Sequence, residues 1–285
     1  MQVQRVAGIL ALALITGMGL AACGSDGEDG GGSGQTQATQ ETAPQPSPTE
    51  PPLLRVVVTN DDGVGAPGID TLVTALNELP NIEVSVVAPD VNKSGAGGRT
   101  TPGELTWTEA TTASGYQAVA VAGFPADTIT VAFDELGLKP HLVISGINEG
   151  QNLGPVADLS GTIGAARAAA RRGVPAIAVS QGFGEPVDFE AGAAVLVDWI
   201  TEHRDDLLED TAPQAVPNLN VPSCATGEVR GLLEIEHQPS VPDLALALQP
   251  QDCAATTTPT TEVDGFTAGY ATLTEVPIEP ATPVE

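Results

Sequence analysis

Two residue patterns alternate along the middle of the chain: short runs of β-branched residues, and apolar positions at helical spacing. Residues 53–59 (LLRVVVT) and 82–88 (IEVSVVA) are apolar runs bounded by polar residues, which predicts two buried strands. Between them lies one apolar helical face, formed by Ile69, Leu72, Val73, Leu76 and Leu79. A strand, a helix and a strand in this order predict a βαβ unit with a right-handed crossover.

The same alternation continues through residue 200. Strands are predicted at residues 116–122, 142–145 and 176–180, and helices at residues 161–172 and 189–200. Repeated βα units predict an α/β fold with a doubly wound, largely parallel, Rossmann-like sheet.

The pattern changes after Pro222. Strand-like pieces at residues 232–236 and 266–274 are separated by a loop rich in Pro and Thr, which predicts a smaller C-terminal β-rich excursion. We therefore predict one domain over residues 53–276, followed by a flexible tail over residues 277–285.

The first 52 residues do not have the pattern of a packed domain. Residues 1–22 combine Arg5 with an apolar stretch too short to span a bilayer stably, which is typical of a signal peptide. The small residues before Cys23 resemble a bacterial lipobox, so Cys23 is predicted to be the lipidated mature N-terminus of an extracytoplasmic, membrane-anchored lipoprotein. An ordinary signal peptide with a chance cysteine is the alternative. Residues 23–52, rich in Gly, Pro and Ser, predict a disordered tether.

Composition narrows the classes of partner. The 285 residues include 37 Asp or Glu and only 10 Lys or Arg, for a net charge of −27. Binding to nucleic acid and electrostatic binding to a membrane both require clusters of basic residues. We therefore expect neither kind of binding. The membrane contact that we predict is the lipid anchor alone, and the acidic excess is expected to keep the surface soluble.

Two cysteines remain beyond Cys23. Cys224 and Cys253 form an even pair, and outside the cytosol such a pair predicts a disulfide, with two free buried thiols as the alternative. Their spacing is not that of a zinc site. Because both lie outside the βα block, the bridge is expected to stabilise the fold without being part of the functional site.

Candidate chemistry lies in the loops after the predicted strands, because ligands of open α/β sheets bind outside the carboxyl ends of the strands. Residues 59–63 read TNDDG directly after the first strand. The adjacent carboxylates of Asp61 and Asp62 repel each other unless a cation binds, and hard oxygen ligands favour Mg²⁺, Mn²⁺ or Ca²⁺. The same residue types also form good turns, so a purely structural turn is the alternative.

Two further loops carry polar groups. Residues 90–95 (DVNKSG) offer the hydroxyl of Ser94 beside the cation of Lys93. Residues 145–154 (SGINEGQNLG) are followed by SGT at residues 160–162, where a helix is predicted to begin. Backbone N–H groups and the helix dipole favour phosphate at such a position, although an ordinary N-cap is the simpler alternative.

Together these strings resemble the SurE family of survival-protein nucleotidases. The resemblance rests on TNDDG with APGI in the first loop, N-x-SGA in the second, SGIN-x-G-x-NLG with SGT-x-x-AA in the third, and GVPAIAVS after them, over residues 55–180. It implies a divalent-metal phosphomonoesterase that hydrolyses nucleoside 5′- and 3′-monophosphates to nucleoside and phosphate, as well as a homodimer.

The resemblance also implies a set of site residues. The metal ligands would be Asp61, Asp62, Ser94 and Asn148, holding one Mg²⁺ or Mn²⁺, with Ca²⁺ as a further option. The catalytic residues would be Asp61, Asp62 and Asn148. The phosphate-binding residues would be Asn60, Gly146, Asn152, Ser160, Gly161 and Thr162. Direct attack of water on phosphorus is expected, and an aspartyl-phosphate is the alternative.

Some positions depart from the family pattern and leave nucleoside recognition open. Val91, Pro155, Val156 and Leu159 stand where the family commonly has Arg, acidic or aromatic residues. A non-catalytic lipoprotein that binds a nucleotide or another phosphorylated ligand on the same scaffold is therefore the alternative function.

The remaining polar candidates are interpreted without catalysis. The histidines lie outside the motif loops, and they are His141, His203 and His237. Asp127 fits a helix N-cap at least as well as a functional motif. Lys93 and Arg99 are expected near the site, where they would offset the acidic field.

Overall fold

The computed structural model describes residues 51–209 and 211–280. The predicted signal peptide, lipidated Cys23 and most of the tether lie outside the described residues. Within the described part of the chain, no helix is both long and apolar enough to cross a membrane.

Nine strands form one mixed sheet in the order β3-β4-β2-β1-β5-β6-β7-β9-β8. The strands are β1 Leu54–Thr59, β2 Ile82–Pro89, β3 Trp107–Thr111, β4 Gln117–Val121, β5 Leu142–Glu149, β6 Ala176–Gln181, β7 Ala215–Val221, β8 Leu232–Glu234 and β9 Ala271–Pro277. The consecutive neighbours from β4 to β7 are all parallel, whereas β3 pairs with β4 and β9 with β7 in antiparallel fashion. The predicted α/β fold with a largely parallel sheet is confirmed.

Helices cover both faces of the sheet. They are α1 Pro67–Asn77, α2 Pro125–Thr130 with a following π-helical turn Val131–Glu135, α3 Gly161–Ala170, α4 Phe189–Leu207 and α5 Glu262–Thr267. α1 and α4 pack on one face and α2 and α3 on the other, which gives two separate hydrophobic clusters. A sheet buried on both faces needs strands that are apolar throughout, and β1 and β5 meet that need.

The apolar helical face predicted from the sequence is the buried face of α1. Ile69, Leu72, Val73 and Leu76 are all fully buried there against the sheet. Burying one such side chain contributes roughly 1.5–3 kcal/mol, so this face alone anchors the helix. Pro67 at the first turn starts the helix because its missing N–H would have no helical partner there.

The sheet reverses its direction of growth at β1. From β1 the chain moves outward to β2 and β4 on one side, and β5, β6 and β7 follow on the other. Loops that leave β1 and β5 therefore diverge over a crevice at their carboxyl ends, which is where ligands bind in open α/β sheets. The topology thus brings the loop after β1 next to the loop after β5.

Several elements differ from the sequence prediction. β3, α2 and β7 are absent from it, and β5 extends to Glu149 rather than ending at residue 145. The strand predicted at residues 266–274 is wrong in its first part: Phe266 lies in α5, because Thr261 caps that helix by accepting a hydrogen bond from the Asp264 amide at 3.2 Å.

The C-terminal part is built into the main sheet. β9 pairs with β7 in antiparallel fashion, and β8 pairs with β9 in parallel. The first residues of the predicted tail are also held, because Arg167 donates to the Pro277 carbonyl at 2.8 Å and Arg171 to the Glu279 carboxylate at 2.8 Å. A third hydrophobic cluster, formed by Leu153, Ala247, Val263 and Phe266, packs the C-terminal segment against the loop after β5.

The structure joins Cys224 and Cys253 in a disulfide with a Cα–Cα distance of 5.7 Å. The bridge closes a loop whose ends are 29 residues apart in sequence. The chain-entropy model assigns such a closure roughly 3–4 kcal/mol of stability.

We expect the double variant Cys224→Ser/Cys253→Ser to unfold about 10 °C below the wild type, because each kcal/mol shifts the midpoint of a domain this size by about 2–4 °C. Thermal unfolding followed by circular dichroism measures the shift. Thiol titration of the unfolded, unreduced wild type is the control, and finding Cys224 and Cys253 as free thiols would contradict the prediction.

Candidate functional site

The turn after β1 places two carboxylates at the carboxyl end of the sheet. Asn60 closes this turn with its own side chain: its Nδ2 donates to the Gly63 carbonyl at 2.9 Å, and its Oδ1 accepts from the Gly63 amide at 3.2 Å. The turn that the residue types favour is therefore present, and it presents Asp61 and Asp62 side by side.

Asp61 is only 2% exposed, and its partners come from the start of α3. Thr162 Oγ1 donates to Asp61 Oδ1 at 2.6 Å. A Cβ atom at Gly161 would lie 2.9 Å from Asp61 Oδ2, so only glycine allows this close approach. Burial, opposed by the Thr162 hydrogen bond, raises the pKa of Asp61 to about 6, and the negative charge of Asp62 adds to the rise.

Asp62 joins the loops that follow three strands. Its Oδ1 accepts from Asn92 Nδ2 at 2.9 Å and from Ser94 Oγ at 3.4 Å, both in the loop after β2. Its Oδ2 accepts from the Glu149 amide at 3.0 Å, at the end of β5. Burial raises the pKa of Asp62, although these hydrogen bonds to the carboxylate act in the opposite direction.

Asn148 precedes Glu149, whose amide binds Asp62, and it lies where the ladder between β5 and β6 is irregular. The register shifts between Ser145 and Asn148, so that Asn148 pairs with Ser180. The side chain is buried, and its Nδ2 donates to the Gly150 carbonyl at 2.6 Å. The amide oxygen of Asn148 is thereby left as the group available to a ligand.

The donor set of this site fits a divalent cation. Asp61 and Asp62 supply two carboxylates, while Ser94 and Asn148 supply neutral oxygens, as hard cations prefer. Among the described residues, no Lys, Arg or His side chain forms an ion pair with either carboxylate. Two adjacent carboxylates, one buried and one half-buried, are costly without a counter-charge, and a dication would lower that cost.

Within the described residues, no group of three or more His, Cys, Asp and Glu side chains is placed to hold a metal ion. Asp61 and Asp62 are the only two carboxylates of the predicted ligand set, and its other members are Ser94 and Asn148. The predicted set contains only two such side chains and takes its other ligands from a hydroxyl and an amide oxygen. The metal assignment stays a prediction.

Three of the predicted phosphate-binding residues lie at the N-terminus of α3. Ser160 is the N-cap and accepts from the Ile163 amide at 3.3 Å. The Gly161 amide donates no hydrogen bond within the described part of the chain. This free N–H group, together with the helix dipole, suits an anion.

The other predicted phosphate contacts are engaged differently. Asn60 uses its amide in the turn described above, and Asn152 donates its Nδ2 to Ser180 Oγ at 2.9 Å. The Asn152 backbone is bound by Asn218 and Asn220 of β7, the amide donating to Asn220 Oδ1 at 2.7 Å. A direct phosphate contact by either amide stays a prediction.

Gly146 is buried within β5, and its peptide bond to Ile147 is cis. A side chain at Gly146 would collide with the Val179 carbonyl of β6. The tight packing explains the glycine without a ligand, so its predicted phosphate contact also stays a prediction.

The expected cations lie beside the site, above an aromatic ring. Arg99 Cζ lies 4.6 Å and Lys93 Nζ 6.0 Å from the centroid of the Phe124 ring. Lys93 is tied to the site by its backbone, since its amide donates to the Asp61 carbonyl at 2.7 Å. Its side chain lies 3.9 Å from Asp90, so part of its charge is already compensated.

Asp127 acts as a structural cap. Its carboxylate accepts from the Phe124 amide at 2.8 Å and from the Thr101 amide at 3.0 Å. The carboxylate therefore fixes both the start of α2 and the loop that carries Ser94, but Asp127 does so from the third helical position, because the N-cap residue is Phe124 and not Asp127 as predicted.

Sequence reasoning missed the contribution of the C-terminal segment. Gln151 Nε2 donates to the Gln249 carbonyl at 3.1 Å, and the Gly154 amide donates to Glu262 Oε2 at 3.2 Å. Because Gln249 lies between Cys224 and Cys253, this segment supports the loop that follows β5, and its separation from the functional site stays a prediction. No local signal identifies these contacts, since they join residues about a hundred positions apart.

Comparisons with known proteins agree with this geometry. The family model described as Survival protein SurE matches residues 56–238. The chain is 40% identical over 185 residues to a protein named 5′-nucleotidase SurE from Methanocella arvoryzae, a match that covers 61% of this chain and 69% of that protein. It is 40% identical over 186 residues to the protein of that name from Rubrobacter xylanophilus, covering 62% and 69%.

A solved structure has the same fold. The crystal structure of SurE protein from Aquifex aeolicus superposes with a TM-score of 0.63 at 27% identity, covering 79% of this chain and 94% of that one. The family model spans the loops after β1, β2 and β5 that build the carboxylate site. The matched region and the shared fold together place this chain in the SurE family.

Proposed function

We propose that this chain is a nucleotidase that hydrolyses nucleoside 5′- and 3′-monophosphates to nucleoside and phosphate, and that it depends on a divalent cation. The observation that carries the proposal is the adjacent pair of buried Asp61 and half-buried Asp62, which forms no ion pair with a basic side chain among the described residues, and whose Asp61 lies against the N-terminus of α3. The relatives named 5′-nucleotidase SurE support the reaction class.

Four side chains would hold the cation: Asp61, Asp62, Ser94 and Asn148. When bound, the cation would neutralise the phosphate oxygens and make phosphorus a better electrophile. The network of neutral donors around Asp62 fixes that carboxylate in advance, so the site is not reorganised when a ligand enters.

The start of α3 is suited to the phosphate. The free Gly161 amide and the positive end of the helix dipole would bind a phosphate oxygen, and the charge that spreads over the oxygens in the loose transition state would be stabilised there. Thr162 keeps the Asp61 carboxylate turned to this helix end through its hydroxyl.

The hydrogen bonds favour water over an aspartate as the nucleophile. Both oxygens of Asp62 accept hydrogen bonds, and Asp61 accepts one from Thr162 while its other oxygen lies against Gly161. Carboxylates held in this way suit ligands better than a nucleophile that must approach phosphorus. Water would form the new P–O bond as the ester P–O bond breaks, and the leaving alcohol would take a proton.

We also propose that the enzyme works outside the cytoplasm, anchored through Cys23. The lipobox-like residues before Cys23 support this location. The disulfide between Cys224 and Cys253 also supports it, because disulfides persist in oxidising compartments.

Phosphate release from adenosine 5′-monophosphate tests the activity and its metal dependence together. We expect turnover with Mg²⁺ or Mn²⁺ and a loss to background with EDTA, restored by excess metal, because within residues 51–209 and 211–280 no basic side chain pairs with Asp61 or Asp62. Full activity in EDTA would contradict metal dependence. Binding of the nucleotide without phosphate release would instead identify the non-catalytic alternative.

Asparagine variants test the ligand set. Asp61→Asn and Asp62→Asn should each lower kcat/KM by about 100-fold or more, since loss of an outer-shell partner alone costs roughly 10–100-fold. Ser94→Ala should lower it by only about tenfold, because a neutral oxygen holds a dication less strongly.

The matched control is Asp134→Asn, which removes the same charge from a surface carboxylate that pairs with Arg172. This control should keep wild-type activity. Wild-type activity in both Asp61→Asn and Asp62→Asn would show that the assignment of the ligands is wrong.

Cell fractionation tests the location. Wild-type chain should be found in the membrane fraction, and Cys23→Ser should move it to the soluble fraction, because the thiol that would carry the lipid is lost. Cys253→Ser is the control for loss of a cysteine and should stay with the membrane. Retention of Cys23→Ser at the membrane would argue against the anchor.

A further inference from the structure

An exposed aromatic side chain lies at the same sheet edge as the carboxylates. Phe183 follows β6 at its carboxyl end and is 51% exposed. Trp107 is the other large aromatic residue with an exposed side chain in the described part of the chain, and it lies on β3 at the far edge of the sheet. Single exposed apolar side chains are common on protein surfaces, so it is the position of Phe183 beside the carboxylate site that sets this ring apart.

Phe183 is held in position by hydrogen bonds on both sides of its backbone. Its amide donates to Gln151 Oε1 at 3.3 Å, and its carbonyl accepts from Gln251 Nε2 at 2.7 Å. Gln251 also donates to the Ser223 carbonyl at 2.6 Å, beside the disulfide. The exposed ring therefore belongs to a fixed loop.

The ring packs directly on the loop that carries the proposed metal ligand Asn148. A Cβ atom at Gly150 would lie 2.8 Å from Phe183 Cε1 and 3.0 Å from Cε2, so the far edge of the ring lies on the glycine. The Gly150 carbonyl accepts the hydrogen bond from Asn148, and the preceding amide, of Glu149, donates to Asp62. The aromatic surface thus begins within two residues of the groups that would hold the cation.

A nucleotide site in this protein needs a contribution that does not depend on charge. The net charge of −27 opposes the approach of an anion, and contacts to phosphate alone treat every phosphomonoester alike. Stacking on an aromatic ring is uncharged and accepts any base, because every base has a π-face. Phe183 can supply it, because its ring is exposed, whereas Phe189 is buried and the Phe124 ring is covered by Arg99.

We infer that Phe183 is a substrate-binding residue on which the nucleobase of the substrate stacks, so that the site prefers nucleotides to sugar phosphates. The inference rests on the proposed nucleotidase function and specifies its substrate class. The flat ring and its closeness to Asn148 carry it, and the bonds from Gln151 and Gln251 keep the ring in place.

The opposite wall of the site offers a competing surface for the base. Val91 is 54% exposed and lines a cavity of about 390 Å³ together with Asp62 and Phe189. The exposed residues of that cavity include Val91 and the polar Asp90, Asn92 and Glu149, whereas its one aromatic residue, Phe189, is buried. A base could pack against Val91 but could not stack on it, and this difference separates the two walls experimentally.

The test compares two substrates that share the same phosphoester, adenosine 5′-monophosphate and ribose 5-phosphate. Phe183→Ala should raise KM for the nucleotide about tenfold with kcat nearly unchanged, a change within the usual range of base stacking. Neither constant should change for ribose 5-phosphate, which has no base. Phe183→Trp should restore the nucleotide KM, while Trp107→Ala and Val91→Ala should behave as the wild type.

Several results would overturn the inference: equal effects of Phe183→Ala on both substrates, no effect on either, or a selective rise in the nucleotide KM in Val91→Ala instead. Calorimetric binding of the two compounds is measured in parallel and does not require turnover. If phosphate release fails for both substrates, the proposed function fails, whereas nucleotide-selective binding lost in Phe183→Ala would still support the stacking site. Binding that does not distinguish the two compounds would overturn it.

Discussion

The structure depends most on two adjacent carboxylates at the end of the first strand, buried Asp61 and half-buried Asp62. Taking an ion out of water costs several kcal/mol in a protein, and Asp61 and Asp62 are compensated by neutral donors rather than by a basic side chain. Those donors come from the loop after β2, the end of β5 and the start of α3. The need to satisfy these two carboxylates therefore explains why three separate segments meet at one point, and the close approach of Asp61 explains the glycine at position 161.

The sequence was most informative where burial follows a local pattern. The central strands are apolar along their whole length, and α1 and α4 each bury one face, so their positions follow from periodicity alone. β7 could not be found in this way, because it contains Pro217 and buries two amides, Asn218 and Asn220. Those amides are buried because they bind Asn152 across the sheet edge, which is a tertiary fact. β3 is an exposed edge strand with little apolar content and gives a weak signal for the same kind of reason.

In the candidate site, too, the residue types could be predicted from local sequence, whereas their hydrogen-bond partners could not. The oxygen donors stand in contiguous motifs, so their types and their common edge could be predicted from the sequence and the topology rule. The partners of each donor could not, since Thr162 and Asp61 are separated by 101 residues and Glu149 and Asp62 by 87. The same limit explains why the hydrogen bonds of the Asn60 and Asn152 side chains were not predictable. The Asn60 amide binds within its own turn, and the Asn152 amide binds Ser180 of β6.

Glu262 binds the amides of both Gly154 and Gln238 with one buried oxygen. This contact bears on when each part of the site can form during synthesis. The ribosome synthesises β1, β2, β5 and α3 well before α5. The central strands can therefore pair while the loop from residue 151 to 154 still lacks its hydrogen bond to Glu262. The nascent chain can thus hold both aspartates and still have an unfinished site until Glu262 emerges, 92 residues after the end of α3 and roughly 5–18 s later at 5–20 residues per second.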